Sequence, residues 1–394
     1  METERIRRQV LEKMELCEEN DDEQLKKRIE ETVWEYAKEH LISLEEEQKY
    51  VQEIFYSLRK LDVLEELLQD DSITEIMVNG YSSIFYEKEG RLYKWDKQFS
   101  GKEKLEDVIQ KIVAKNNRVV NEAMPIADAR LEDGSRIHIV LEPVAIDGSC
   151  ITIRKFPKEV MTMERLLEYG TLSEAAAEFL EKLTIAGYNI FISGGTGSGK
   201  TTFLNALSGC IPKTERIITI EDSAELQLKG VKNLIRLETR NANVKGMTEI
   251  TIRDLIRAAL RMRPDRIIVG ECRGAEALDM LQAMNTGHDG SLSTGHANSC
   301  EDMLRRLETM VLMGMELPVS AIRAQIASGV DILVHVGRMG DGSRKLMNVM
   351  EVAGYEKEQI LLNPIFQMEG GEWRRLERLK HTQKLERAGF GILS

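Results

Sequence analysis

The chain has 394 residues, 42% hydrophobic and 30% charged, with a formal net charge of −12; it is too long for one ordinary domain and implies about two or three. The acidic excess is confined to residues 1–71, which hold 11 Lys/Arg against 22 Asp/Glu, while the rest is nearly neutral, so neither part has the basic surplus of a general nucleic-acid binder. Five scattered cysteines (Cys17, Cys150, Cys210, Cys272, Cys300) include no C-x-x-C pair, which argues against a disulfide framework or zinc knuckle and for a reducing cytosol.

The N-terminus, METERIRRQVLEKMELCEEN, lacks the apolar core of a signal peptide, and no apolar run approaches the roughly 18 residues that span a bilayer. The expectation is a soluble cytosolic protein, peripheral at the membrane through its partners. Residues 1–71 read as an acidic helical segment, with Ile54, Leu58, Leu61, Leu64 and Leu68 near helical spacing across Val51 to Leu68. Residues 72–156 read as a small α+β domain. Its strands are Ile73 to Val78, Ser83 to Tyr86, Arg136 to Val140 and Cys150 to Arg154, with a helix over Lys104 to Lys115. Phe156-Pro157-Lys158 opens a linker over 157–172.

Residues 173–394 alternate helix and strand. Ser173 caps a helix that Gly187 stops, and strands follow at Asn189 to Ile192, Arg216 to Ile220, Leu234 to Leu237 and Arg266 to Val269. Helices are expected at Thr251 to Met262 and Ala275 to Met284, and the chain beyond about Gly337 reads as a polar tail with strand-like pieces. This alternation predicts an α/β fold with a mostly parallel, doubly wound sheet.

Gly194-Gly195-Thr196-Gly197-Ser198-Gly199-Lys200-Thr201-Thr202 satisfies G-x-x-x-x-G-K-[ST] between an apolar strand and a helix. Such a loop aims successive backbone N–H groups at a phosphate, and the helix N-terminus adds partial positive charge. Lys200 is then the partner of the β- and γ-phosphates and Thr201 a ligand of Mg²⁺. ATP and Mg²⁺ are the expected substrate and cofactor.

Hydrolysis also needs an acid that positions water, and extra positive charge. Ligands of doubly wound sheets sit at the C-terminal ends of strands, so Glu271, just after Arg266 to Val269, is the first candidate for polarising water and for the metal's surroundings. Glu221 and Asp222 end another strand, with Glu225 just after; these carboxylates either support the metal's water shell or compete for the base role, or one of them is an ordinary strand-end cap. His288 and His296 flank a short strand and either sense the γ-phosphate, meet a neighbouring subunit or are ordinary polar residues. Arg236 and Arg240 are candidate fingers, in cis or across an interface; Arg253, Arg257 and Arg261, at four-residue spacing, read as a solvated or salt-bridged helix face.

These segments together resemble the secretion ATPases of type II, type IV-pilus and type IV systems. The resemblance rests on the phosphate loop, an acidic box Thr219 to Glu225, an atypical Walker B Ile267-Ile268-Val269-Gly270-Glu271, and a histidine box from Thr286-Gly287-His288 to Gly295-His296-Ala297-Asn298. Finer matches at Ala127 to Leu131, Asp133 to Arg136, Ile151 to Phe156, Arg236 to Arg240 and Thr251 to Ser291 resemble the CpaF/TadA-type Flp pilus ATPases, and a tetracysteine insertion is absent. The resemblance implies a RecA-like C-terminal domain, a homo-hexameric ring, and nucleotide between the domains with Arg130, Arg136 and Arg154 contributing. It also makes His296 a γ-phosphate sensor and Arg236 and Arg240 arginine fingers. The implied partner is a polytopic inner-membrane platform protein, with pilin as indirect cargo. The competing readings are a conjugation-like type IV secretion ATPase exporting protein or DNA, a recombinase-like DNA motor, and a nucleotide-gated scaffold.

Overall fold

The computed structural model describes residues 2–14, 21–40, 42–116, 119–156, 160–240 and 248–391; Cys17 and the linker residues Pro157 and Lys158 lie outside them. The chain divides into two units, Met1–Lys158 and Glu159–Ser394.

The first unit opens with helices α1 (Glu2–Met14), α2 (Asp22–His40), α3 (Leu44–Arg59) and α4 (Leu64–Gln69). Ile6, Val10, Leu25, Ile29, Val33 and Ile54 bury one small core among the first three. Ser43 starts α3 with a reciprocal capping box to Glu46. The helical pattern expected across Val51 to Leu68 is broken in two. Lys60 is extended and Asp62 takes a left-handed φ of 57°, so the apolar residues continue in register while the backbone does not.

Strands β1 (Ile73–Asn79), β2 (Ile84–Lys88) and β3 (Arg91–Lys94), helix α5 (Lys102–Lys115) and strands β4 (Ile126–Arg130), β5 (Arg136–Val140) and β6 (Cys150–Arg154) complete this unit. They form an antiparallel sheet in the order β3-β2-β1-β6-β5-β4. Alternate residues Ile137, Ile139, Ile151 and Ile153 join the core that also holds Leu105, Val108, Ile109 and Ile112 of α5. Register aligns Arg130 with Arg136, and Arg136 with Arg154. The three candidate arginines therefore form one row on one face of neighbouring strands.

The second unit runs through α6 (Met163–Glu168), α7 (Glu174–Ile185), β7 (Ile190–Gly194), α8 (Lys200–Ser208), β8 (Ile217–Glu221), β9 (Leu234–Glu238), α9 (Ile252–Ala259), β10 (Arg266–Val269) and α10 (Glu276–Asn285). It continues with β11 (Leu292–His296), α11 (Cys300–Gly314), α12 (Val319–Gly329), β12 (Ile332–Arg338), β13 (Arg344–Glu356), β14 (Gln359–Glu369), β15 (Glu372–Arg375) and α13 (Gln383–Arg387). One sheet has the order β15-β14-β13-β12-β7-β11-β10-β8-β9, parallel from β12 to β9 and antiparallel from β12 to β15. Helical cores cover both faces, and the strands Ile217 to Ile220 and Ile267 to Val269 are buried throughout.

Two expectations are corrected here. The segment read as a linker contains α6, and Met163, Leu166 and Leu172 are buried in the core of this unit. The strand-like pieces expected beyond Gly337 are strands β13 to β15, but they are no tail: Val349, Ile365 and Phe366 are buried in the same core. Even the polar residues Glu351 and Asn363 of β13 and β14 are buried, Asn363 Nδ2 donating to Glu351 Oε2 at 2.8 Å.

Candidate active site

Strand β7 ends at buried Gly194, between β11 and β12: Gly194 is in register with His296 on one side and Val336 on the other. A Cβ on Gly194 would stand 2.4 Å from the Val336 carbonyl oxygen and 2.4 Å from Ser198 Oγ, so only glycine leaves the loop room to turn. Gly199, with φ of 90°, caps α8, which begins at Lys200. The loop of Gly194 to Gly199 and the first residues of α8, Lys200, Thr201 and Thr202, thus form a phosphate-cradling turn at a helix N-terminus. Ser198 Oγ within it is buried with no hydrogen-bond partner, an orphan that fits an oxygen-rich ligand.

A line of charge runs from this loop across the strand ends. Lys200 Nζ donates to Gly195 O at 2.9 Å and lies 3.2 Å from His296 Nδ1. His296 Nε2 stands 2.9 Å from Glu271 Oε1. Glu271 Oε2 receives Arg273 Nη2 at 2.7 Å, and Arg273 Nη1 reaches Asp222 Oδ2 at 3.3 Å. Burial lowers the pKa of the Lys200 ammonium below its ordinary value, with Glu271 opposing. Burial likewise lowers that of His296, again against the pull of Glu271. The Glu271 hydrogen bond raises that of Arg273.

Glu221 and Glu271 hold different positions. Glu221 is 3% exposed, and its Oε2 accepts the backbone N–H groups of Glu225 and Leu226 at 2.7 and 3.0 Å. Its other oxygen is buried without a partner. Burial raises its pKa, against those two bonds. Glu221 ties down the loop after β8, whereas Glu271 joins the line that reaches Lys200.

Among the described residues no group of three or more His, Cys, Asp or Glu is arranged to hold a metal ion. Thr201 lies in the first turn of α8, and the Asp222 and Glu271 carboxylates both meet Arg273. Arg236 and Arg240 are exposed along the edge strand β9 and just beyond it; Arg240 donates to Thr248 O at 3.1 and 3.3 Å. Neither joins the line from Lys200 to Asp222. His288 lies apart, its Nδ1 3.3 Å from Ala283 O. Arg253 and Arg257 both pair with buried Asp279, as a salt-bridged helix face.

Sequence reasoning missed Arg273, two positions after Glu271, whose proximity in the same loop was a usable signal. It also missed Arg344, whose Nε donates to Gly197 O at 3.2 Å. No local signal in the sequence brings that residue back to the phosphate loop.

A family model described as "Type II/IV secretion system protein" matches residues 57–347. The chain is 36% identical over 314 residues to the type IV secretion system protein PtlH of Bordetella pertussis, covering 72% of this chain and 91% of that one. It is 30% identical over 305 residues to the conjugal transfer protein TrbB of Rhizobium radiobacter, covering 77% and 90%. The X-ray structure of the Legionella pneumophila ATPase DotB shares the fold, with a TM-score of 0.54 and 21% identity over 75% of this chain and 80% of that one. The chain belongs to the type II/IV secretion system family, with a RecA-like α/β fold, and is an ATP-hydrolysing enzyme.

Proposed function

We propose that the protein is a Mg²⁺-dependent, hexameric motor that hydrolyses ATP to drive a membrane-embedded machine assembling a Flp-type pilus. The observation that carries the chemistry is the run of close approaches from Lys200 to His296 at 3.2 Å and from His296 to Glu271 at 2.9 Å beside the phosphate loop. Glu271 orients a water for in-line attack on the γ-phosphorus and receives its proton, as the bond to the β–γ bridging oxygen breaks. Lys200 neutralises the terminal phosphates, and His296 reads the γ-phosphate because it touches both Lys200 and Glu271. Thr201, with Asp222 and Glu271 near its water shell, would hold Mg²⁺, which would supply charge neutralisation to the phosphates. Arg236 and Arg240 serve as arginine fingers, in cis or across a subunit interface. No single helix among the described residues is long and apolar enough to cross a membrane. This suits a motor that sits at the cytoplasmic face of the membrane and pushes on a polytopic platform protein.

The second reading keeps the motor and changes its machine: a type IV secretion or conjugal export ATPase. The relatives PtlH and TrbB, named for those systems, favour it. Tagged Glu271→Gln protein, recovered from gently solubilised cells of its own host, separates the two. Co-purification of a polytopic platform protein with pilins supports the pilus reading. Recovery of conjugation-channel or DNA-coupling proteins overturns it in favour of export.

A further inference from the structure

We propose that Arg338 and Arg344, paired on the β12–β13 hairpin, hold the nucleoside-side phosphates of the bound nucleotide. The inference rests on the nucleotide-binding reading of the phosphate loop and extends it to a part of the chain outside every motif named above.

The argument begins with the strand order. Gly194, from which the loop springs, has His296 beside it on β11 and Val336 beside it on β12. His296, Lys200 and Glu271 gather on the β11 side, so the γ-phosphate faces that side. A nucleotide threaded through the loop then runs its α-phosphate, ribose and base the other way, toward β12.

Two residues past Val336, the chain reaches Arg338, which is in register with Arg344 across a tight turn closed by Met339 N to Ser343 O at 2.8 Å. Both arginines are exposed. Arg344 lies along the loop: its Nε donates to Gly197 O at 3.2 Å, and a Cβ on Gly199 would stand 3.2 Å from its Cδ. Arg338 Nη1 is 3.9 Å from where a Cβ on Gly197 would stand. Neither forms an ion pair with a carboxylate within 4.0 Å among the described residues. Two like charges facing each other across neighbouring strands repel, and an anion between them and the loop removes that cost. Guanidinium groups suit the task because each offers several N–H donors in a fixed fork to phosphate oxygens. Arg344 has donors left after its bond to Gly197.

The test compares the full-length wild type with Arg338→Ala, Arg344→Ala, Arg344→Lys and the double alanine variant. Equilibrium ADP binding is measured together with steady-state ATP hydrolysis. The expected result is an ADP Kd and an ATP KM each raised about tenfold by either alanine variant. The kcat stays within about twofold, because the contact is uniform between ground and transition states. Arg344→Lys recovers most of the loss as a point charge. If Arg344→Ala fails to fold, Arg338→Ala carries the test, since the Arg338 side chain bonds to no loop atom. Unchanged ADP affinity in the double variant overturns the proposal, as does a fall in kcat at constant KM. Wild-type protein that binds no ADP refutes the nucleotide-binding reading itself, a distinguishable failure.

Discussion

His296 Nε2 stands 2.9 Å from Glu271 Oε1, while Nδ1 of the same ring lies 3.2 Å from Lys200 Nζ. The ammonium only donates, so Nδ1 accepts and the proton of the neutral ring sits on Nε2, facing the carboxylate. One imidazole thus couples the cation that grips the phosphates to the acid that orients water.

This coupling predicts a pH dependence. Burial holds the His296 pKa below the ordinary 6.5, so the ring is neutral at and above neutrality. As pH falls through that lowered value, a second proton arrives at Nδ1 and faces the Lys200 ammonium. The expected kcat/KM is level above the ordinary histidine range and falls by up to about tenfold per pH unit below the His296 pKa. His296→Gln, which cannot take up that proton, lowers activity at pH 7 and flattens this acid limb. An unchanged limb in the variant assigns the titration to another group.

The loop at Gly194 predicts a steric failure. A Cβ there meets the Val336 carbonyl oxygen at 2.4 Å, and this backbone atom is fixed by the ladder between β7 and β12. Gly194→Ala is expected to destabilise the second unit by about 1–3 kcal/mol and to abolish ADP binding. Thermal unfolding and equilibrium nucleotide binding of the full chain check both halves.

Asp279 predicts a structural effect separable from catalysis. Its buried carboxylate accepts from Arg253 Nε at 2.7 Å and Arg257 Nε at 2.8 Å, joining α9 to α10. Asp279→Ala leaves two arginines that can rehydrate, so the expected cost is about 1–3 kcal/mol, short of a fully buried pair. A lower unfolding midpoint with near-normal turnover per folded molecule is the expected outcome.

Much of this was legible in sequence because the informative residues are local. A strand, a glycine turn and Lys200 lie within a dozen positions, and Glu271 follows its strand directly. The Arg266 to Val269 strand was bounded correctly because its apolar residues end abruptly at Gly270. The misses have physical causes. Lys60 and Asp62 turn the backbone without interrupting the apolar spacing of Val51 to Leu68. Val349 and Ile365 lie in strands whose strand-like pieces were legible, but buried polar residues such as Glu351 and Asn363 gave the stretch a polar composition that hid its place in the core. Arg344 meets Gly197 across 147 positions of chain, a contact made by strand order and by nothing local. Glu221 ends β8 and Glu271 follows β10 after Gly270, and their partners, backbone N–H groups for one and Arg273 for the other, come from the fold and not from local sequence.

That difference in partners is also the most direct test of the catalytic account. Single-turnover phosphate release from bound ATP is to be followed for wild type, Glu271→Gln and Glu221→Gln. Glutamine at 221 keeps an oxygen for the Glu225 and Leu226 N–H groups and removes a buried charge whose pKa burial raises. The account predicts release within about threefold of wild type for Glu221→Gln. For Glu271→Gln it predicts retained ATP binding and release slowed by about 100-fold or more. Near-normal release from Glu271→Gln with a collapse in Glu221→Gln would contradict it and move the base to Glu221.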